Sequence, residues 1–221
     1  MREIEFCTKE YYHIFNRGVD KRDVFSDKKD LERFFQSMIE FNVVIPIGSI
    51  YENSFRKIKN PLRHRVSKLV NFVAYCLNPN HYHFILEPVV KNGIQKFMHR
   101  LGSGYTKYFN ERHFRNGSLF QGAYKAIHVD SDDYLSYLSV YINFNNKIHK
   151  LKLGHSVSKS SLDEYIKVQQ EKTQNDYICQ KDAVLEQFNN FEEYKEYVRE
   201  VLDVIMKNKK EQKELEKLLL E

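Results

Sequence analysis

The chain has 221 residues, of which 42% are hydrophobic, so it can bury a core and a globally disordered chain is excluded. Its 35 basic residues exceed its 30 acidic ones, and the net charge of +5 permits a polyanionic partner without requiring one. The aromatic residues are all Tyr and Phe. Such rings can stack on unpaired bases when positive charge lies nearby, although packing in a core is their commoner use.

The cysteines and the hydropathy pattern indicate the compartment. Cys7, Cys76 and Cys179 are far apart and form no Cys-x-x-Cys pair, which argues against a zinc site of that type and against a disulfide framework. The first residues show no apolar signal region, and no run of about eighteen apolar residues occurs. We therefore expect a cytoplasmic protein with no membrane partner.

The first predicted elements are a strand and a helix. Tyr11–Phe15 has strand composition and is closed by Asn16-Arg17-Gly18. The next helix is predicted to be capped near Ser26 or Asp27, because apolar residues then recur at helical spacing. Residues 43–67 lose this periodicity, and we interpret them as a basic loop or insertion. Its basic residues are Arg56, Lys57, Lys59, Arg63 and Arg65.

The following elements complete a recognisable order. Leu69–Leu77 predicts a buried strand, which Asn78-Pro79-Asn80 turns into a second strand, His81–Leu86. A helix, a strand and a helix are then predicted over Gly93–Asn110, Leu119–Val129 and Asp133–Asn146. Strand–helix–strand–strand–helix–strand is the order of the split βαβ arrangement. We therefore predict an α+β, ferredoxin-like (RRM-like) fold, an antiparallel sheet with helices on one face.

The composition changes after Lys150. Residues 151–180 are polar and Ser-rich, and helical spacing returns from Asp182 onward. The last residues are rich in Lys and Glu, which is typical of a solvated terminal helix. We expect a first domain over 1–150 and, over 151–221, a polar linker with a C-terminal helical extension.

His81 and His83 are candidate metal ligands. Side chains alternate along a strand, so these two imidazoles share one face while Tyr82 points to the other. Two imidazoles on a rigid face can bind a divalent cation. Chance can also supply a His-x-His pair, and two histidines hydrogen-bonded on a half-buried strand remain the alternative.

The helix predicted over Asp133–Asn146 carries a line of residues that ends in an amide. Tyr134, Leu138, Tyr141 and Asn145 fall on one side at about 100° per residue. Asn145 lies one turn beyond Tyr141, so both side chains can contact the same bound group. The alternative is a core stripe of tyrosines with a capping Asn.

Several segments together resemble the single-tyrosine HUH (IS200-like) transposases, and specifically their REP-associated tyrosine transposase branch. The resemblance covers about residues 8–150. The segments, in order, are Asn16-Arg17-Gly18, Asn78-Pro79-Asn80-His81-Tyr82-His83, Arg115-Asn116-Gly117-Ser118-Leu119-Phe120-Gln121 with Lys125, and Tyr141-Ile142-Asn143-Phe144-Asn145.

This resemblance implies roles for four residues. His81 and His83 would bind Mg²⁺ or Mn²⁺, Asn145 would complete the metal site, and Tyr141 would be the nucleophile. The implied activity is cleavage and rejoining of single-stranded, hairpin-bearing DNA through a 5′-phosphotyrosine, by a monomer or homodimer. A catalytically inactive or domesticated binding module on the same fold is the main alternative. A simple metallohydrolase is a third, although the carboxylates that such sites usually carry are lacking.

The expected contacts to DNA are basic or amide side chains. A single one of them is more often a plain surface group, so the expectation rests on the set. They are Arg17, Lys21, Arg22, Arg100, Lys107, Arg112, Arg115, Gln121 and Lys125.

Overall fold

The protein is built on a five-stranded antiparallel sheet with strand order β4-β1-β3-β2-β5. The computed structural model describes residues 4–59, 67–148, 157–166 and 178–218. The first four strands have the order of the split βαβ arrangement, so the predicted ferredoxin-like α+β fold is confirmed. The strands are β1 (Tyr11–Arg17), β2 (Val70–Asn78), β3 (His81–Pro88), β4 (Lys125–Val129) and β5 (Lys159–Ser160).

Helices cover both faces of the sheet, whereas the sequence predicts them on one face, because the helices that follow β4 pack on the second face. α1 and α3 pack on the face that carries Ile14, Tyr82 and Phe84, and this is the larger core. α4, α7 and α8 pack on the opposite face, against Ala74, Ile85 and neighbouring residues. The helices are α1 (Lys28–Glu40), α2 (Ile50–Lys59), α3 (Gly93–Arg112), α4 (Asp132–Asn143), α5 (Asn145–Ile148), α6 (Leu162–Ile166), α7 (Asp182–Leu185) and α8 (Phe191–Leu218).

A buried carboxylate joins α1 to α3. Asp27 caps α1 by accepting a hydrogen bond from the Asp30 N–H at 3.0 Å, as the sequence predicts. The Asp30 side chain is fully buried and accepts from Arg112 Nη1, from His113 Nε2 at 2.9 Å and from the Ser26 N–H at 3.0 Å. A buried carboxylate is costly unless it is paired, so this network fixes the start of α1 against the end of α3.

The interpretation of 43–67 as a loop is corrected, because α2 forms within it. Ser49 Oγ accepts from the Glu52 N–H at 3.1 Å, and Glu52 Oε2 accepts from the Ser49 N–H at 3.3 Å. This reciprocal pair is a capping box, a helix-start signal that is present in the sequence. Ile50 and Asn53 are buried, so α2 also packs on the domain. Arg63 and Arg65 lie outside the described residues.

The expected polar linker over 151–180 also needs correction where the structure describes it. β5 extends the sheet next to β2, and Ser161, Leu162 and Tyr165 are buried. Ser161 Oγ donates to Asn143 Oδ1 at 2.5 Å, so this segment is anchored to the end of α4. Its serines therefore serve as hydrogen-bonding groups in a packed segment.

The helix predicted over Asp133–Asn146 is divided in two. α4 begins after the cap Ser131, whose side chain accepts from the Tyr134 N–H, and ends at Asn143. Phe144 leaves helical geometry, with φ of −104° and ψ of 4°, and Asn145 starts α5. Within the described ranges, no helix is both long and apolar enough to span a bilayer.

Candidate active site

The β2–β3 hairpin places both predicted histidine ligands on the sheet face that α4 covers. In the antiparallel register, Asn78 lies opposite His81 and Cys76 lies opposite His83. Directly paired residues point to the same side of a sheet, so Asn78 and Cys76 of β2 lie beside His81 and His83 of β3 on this face. The His81 and His83 rings are 5.2 Å apart between centroids and nearly perpendicular. The strand alternation that the sequence predicts is therefore confirmed.

His81 and Asn145 meet at the buried end of this face. Asn145 Oδ1 lies 3.4 Å from His81 Nε2 although the residues are 64 positions apart. Asn78 Nδ2 lies between them, 2.9 Å from His81 Nε2 and 2.7 Å from Asn145 Oδ1. On its other side, His81 Nδ1 lies 2.6 Å from Asn80 Oδ1. Because that oxygen can only accept, Nδ1 carries the proton and Nε2 presents a lone pair.

His83 contacts a third histidine. Its Nδ1 lies 2.9 Å from His13 Nε2, and the two rings are stacked with centroids 5.2 Å apart. Burial lowers the pKa of His13 to about 4, so His13 is neutral near pH 7 and can accept a proton in a hydrogen bond. If His83 donates from Nδ1 to His13, its unprotonated nitrogen is Nε2.

Tyr141 lies on α4 beside His83, and its ring is perpendicular to the imidazole at 6.1 Å between centroids. Burial raises the pKa of the Tyr141 phenol above its ordinary value, and the nearby Asn145 side chain acts in the opposite direction. The Asn145 Nδ2 atom is itself buried and has no partner at normal hydrogen-bond distance. One amide therefore presents its oxygen to His81 and its nitrogen toward the phenol.

The residues present fit a divalent cation. His81 Nε2 and Asn145 Oδ1 are neutral donors close together, and His83 lies beside them. Nitrogen and amide oxygen donors of this kind suit Mn²⁺ and can accept Mg²⁺. Among the described residues, no cluster of three or more His, Cys, Asp or Glu side chains could hold a metal ion. A site here therefore depends on the Asn145 amide as a ligand.

Four of the predicted DNA-binding residues lie near the end of β1, and their side chains are exposed. The register puts Arg17 opposite His81, and the pair Phe15–Lys125 lies two residues away on the same face. The Gln121 N–H donates to the Arg17 carbonyl at 2.8 Å, and Asn80 Nδ2 donates to the Lys21 carbonyl at 3.1 Å. The four residues are Arg17, Lys21, Gln121 and Lys125.

Three other predicted DNA contacts are engaged in contacts within the fold. Arg112 pairs with both Asp27 and Asp30, and Arg100 donates to the Val43 carbonyl at 2.5 Å. Arg115 lies over the Phe109 ring at 5.6 Å. Arg112 and Arg100 thus use their donors to hold α3 against its neighbours, and Arg115 packs on the end of α3 itself.

The remaining two candidates are exposed. Arg22 forms a surface ion pair with Asp20 at 3.2 Å. Lys107 lines a cleft of about 480 Å³ between α3 and the segment before β4.

Sequence reasoning missed two site residues, His13 and Asn78. The sequence assigns His13 only to a strand, and Asn78 only to the turn and to the motif that contains His81 and His83. The register explains both, because β1 and β2 flank β3 and place these side chains on its histidine face. Pairing the predicted strands in the split βαβ order would have indicated them.

The sequence profile described as "Transposase IS200 like" matches residues 6–145. No curated protein matches the chain significantly. A solved structure of a REP-associated tyrosine transposase bound to a REP hairpin is similar, with a TM-score of 0.45 and 10% identity over 71% of this chain and 81% of that chain. The profile match spans more than half of the sequence, and the chain therefore belongs to the IS200-like transposases, a family of DNA-cleaving enzymes.

Proposed function

We propose that this protein cleaves and rejoins single-stranded, hairpin-bearing DNA through a covalent bond to Tyr141, as a member of the REP-associated branch of its family. The observation that carries the proposal is the convergence of His81, Asn145 and Tyr141 from β3, α5 and α4. Neither packing nor a single helix requires a histidine and an amide to meet beside a tyrosine. Phosphodiester cleavage does require a nucleophile beside groups that can hold a cation.

His81, His83 and Asn145 would hold the cation. A bound Mg²⁺ or Mn²⁺ would neutralise charge on the scissile phosphate and favour the phenolate, and neutral ligands would leave it most of its positive charge. Asn80 fixes the proton of His81 on Nδ1, and His13 orients His83. These contacts hold the two imidazoles in place before DNA arrives.

Tyr141 performs the transfer. Its Oη attacks the phosphorus, the bond from phosphorus to the 3′ oxygen breaks, and the phenol proton passes to that oxygen through solvent. The products are a 5′-phosphotyrosine and a free 3′-OH, and attack by a 3′-OH on the phosphotyrosine reverses the step. Burial raises the pKa of the phenol, which opposes its ionisation, and the nearby amide of Asn145 would offset this by donating to the phenolate as the bond forms.

The exposed residues at the end of β1 bind and position the DNA. Arg17 and Lys125 share the sheet face of His81 and can contact phosphates next to the cleavage site. The cleft of about 480 Å³ on the other side of β1 is lined by Asn16, Lys107 and Tyr124 among others. An aromatic ring, an amide and a cation around one cleft suit an unpaired base and its phosphate.

The test of this function is Tyr141→Phe, which removes one hydroxyl and almost no volume. We expect the variant to fold and to bind a labelled hairpin substrate, and to form neither cleaved strand nor covalent adduct on denaturing gels with Mn²⁺. Tyr137→Phe and Tyr134→Phe, respectively one and two turns earlier on α4, are matched controls that should retain the adduct.

An adduct that persists in Tyr141→Phe, or that disappears only in one of the controls, would place the nucleophile elsewhere. Wild-type protein that binds the hairpin with Mn²⁺ but never forms an adduct would instead support the inactive binding module.

A further inference from the structure

Asn78 occupies the point on which the candidate metal ligands converge. Its side chain is fully buried, and Nδ2 lies 2.9 Å from His81 Nε2 and 2.7 Å from Asn145 Oδ1. His81 Nε2 carries a lone pair, because Nδ1 donates to Asn80. Asn145 Oδ1 can only accept. The two N–H groups of one amide therefore satisfy two acceptors, which are the same two atoms that would ligate a cation.

The other end of the Asn78 amide points to a weak partner. Asn78 Oδ1 lies 3.6 Å from the sulfur of Cys76, which is buried on the same strand. A thiol is a weak donor and its sulfur a weak acceptor, so this position tolerates either the oxygen or the nitrogen of the amide. A half-turn about the Cβ–Cγ bond exchanges these two atoms without changing the volume of the side chain.

We propose that Asn78 is a further ligand of the metal site, which closes the site in the absence of a cation and turns its oxygen inward when a cation binds. This inference rests on the metal site of the proposed function. In the closed arrangement the amide N–H groups hold His81 and Asn145 in place. When the amide is turned with its oxygen inward, Asn78 Oδ1 becomes a third neutral donor from the β2–β3 hairpin, in addition to His81 and His83.

Two simpler roles predict different metal affinities. If Asn78 only blocks the site, removing its amide frees both ligands and cation binding becomes tighter. If Asn78 only fills space, an apolar residue of similar size leaves the affinity unchanged. A ligand role alone predicts weaker binding, because an oxygen donor is lost.

The experiment is calorimetric titration of Mn²⁺ into the protein without DNA. We expect Asn78→Leu to weaken Mn²⁺ binding roughly tenfold or more, a typical loss when a group that supports a metal site is removed. We expect Asn78→Asp to tighten it about tenfold, because a carboxylate offers an oxygen in either orientation and adds negative charge. Asn71→Leu, the same substitution on β2 at an asparagine that donates to Glu87, should bind as wild type. Wild-type or tighter affinity in Asn78→Leu, or weaker affinity in Asn78→Asp, would overturn the inference.

Two further measurements separate this inference from the metal site itself. If wild-type protein binds no Mn²⁺, or if His81→Ala binds it as wild type does, the site is wrong and the proposed function falls with it.

If Asn78→Leu does not fold, the role of Asn78 is tested instead by thermal unfolding of Asn78→Asp with and without Mn²⁺. Without metal it should unfold below wild type, since three acceptors then face one another, and Mn²⁺ should raise its Tm by more than it raises that of wild type. An equal rise in both proteins would overturn the role of Asn78.

Discussion

Replacing Arg17 and Lys125 together by Gln tests whether the end of β1 holds the DNA backbone. Both side chains are exposed, and both lie on the sheet face of His81. Lys125 pairs with Phe15, two residues before Arg17, so the two Cα atoms are about 8 Å apart by strand geometry. The two cations can therefore reach neighbouring phosphates of one strand next to the cleavage site.

The size of the effect follows from counterion release. Each phosphate contact to single-stranded DNA contributes about 0.7 to the slope of log affinity against log salt, so losing two contacts reduces the slope by about 1.4. Between about 50 mM and about 200 mM salt, a fourfold rise, wild-type protein should then lose about sevenfold more affinity than the double variant. Folding should be unaffected, because neither residue packs in the core.

The assay is fluorescence anisotropy of a labelled hairpin with a single-stranded flank, titrated at a series of NaCl concentrations. Arg112→Gln is the matched control, because its cation is engaged by Asp27 and Asp30. We expect Arg112→Gln to lower the Tm and to leave the salt slope as in wild type. An unchanged slope in the double variant, or an equal reduction in Arg112→Gln, would refute the assignment of the binding surface.

Three further outcomes are expected. His13→Phe should weaken Mn²⁺ binding about tenfold, measured by calorimetry, because His83 loses the partner that orients it. Glu164→Gln should lower the free energy of unfolding in urea by about 2 kcal/mol, because this buried carboxylate accepts from two main-chain N–H groups and a tyrosine hydroxyl. Arg112 holds the pKa of Asp27 well below its ordinary value of 3.8, so this pair stabilises the fold above that pH. The urea midpoint of wild type should therefore fall as the pH drops through 3.8, and that of Asp27→Asn should fall less.

The features that local chemistry controls could be predicted from the sequence. Alternation along a strand places His81 and His83 on one face, and Asn78-Pro79-Asn80 makes the hairpin turn. Asp27 caps α1 as the helix-start rules predict. The order of strands and helices then sets the topology, because few arrangements accommodate that order.

The features that depend on long-range packing could not be predicted. The serines after residue 156 suggest a solvated linker, but Ser161 is buried because it donates to Asn143 and accepts from the Tyr75 N–H. Likewise, a charged residue on a helix suggests solvent, but Arg112 faces two carboxylates of α1. In both cases the partner lies at least 18 positions away, and composition carries no information about it.

The break at Phe144 is a feature of the candidate site that the sequence does not predict. On one continuous helix, Asn145 would follow Tyr141 by a full turn and present its amide along the helix surface. In the structure, α4 ends at Asn143 and Asn145 begins α5, and its amide reaches His81 across the end of the hairpin. The same amide stays close enough to lower the pKa of the Tyr141 phenol. The four-residue spacing therefore matters because the chain turns within it. The turn lets one side chain, that of Asn145, lie beside both the proposed nucleophile and a proposed metal ligand.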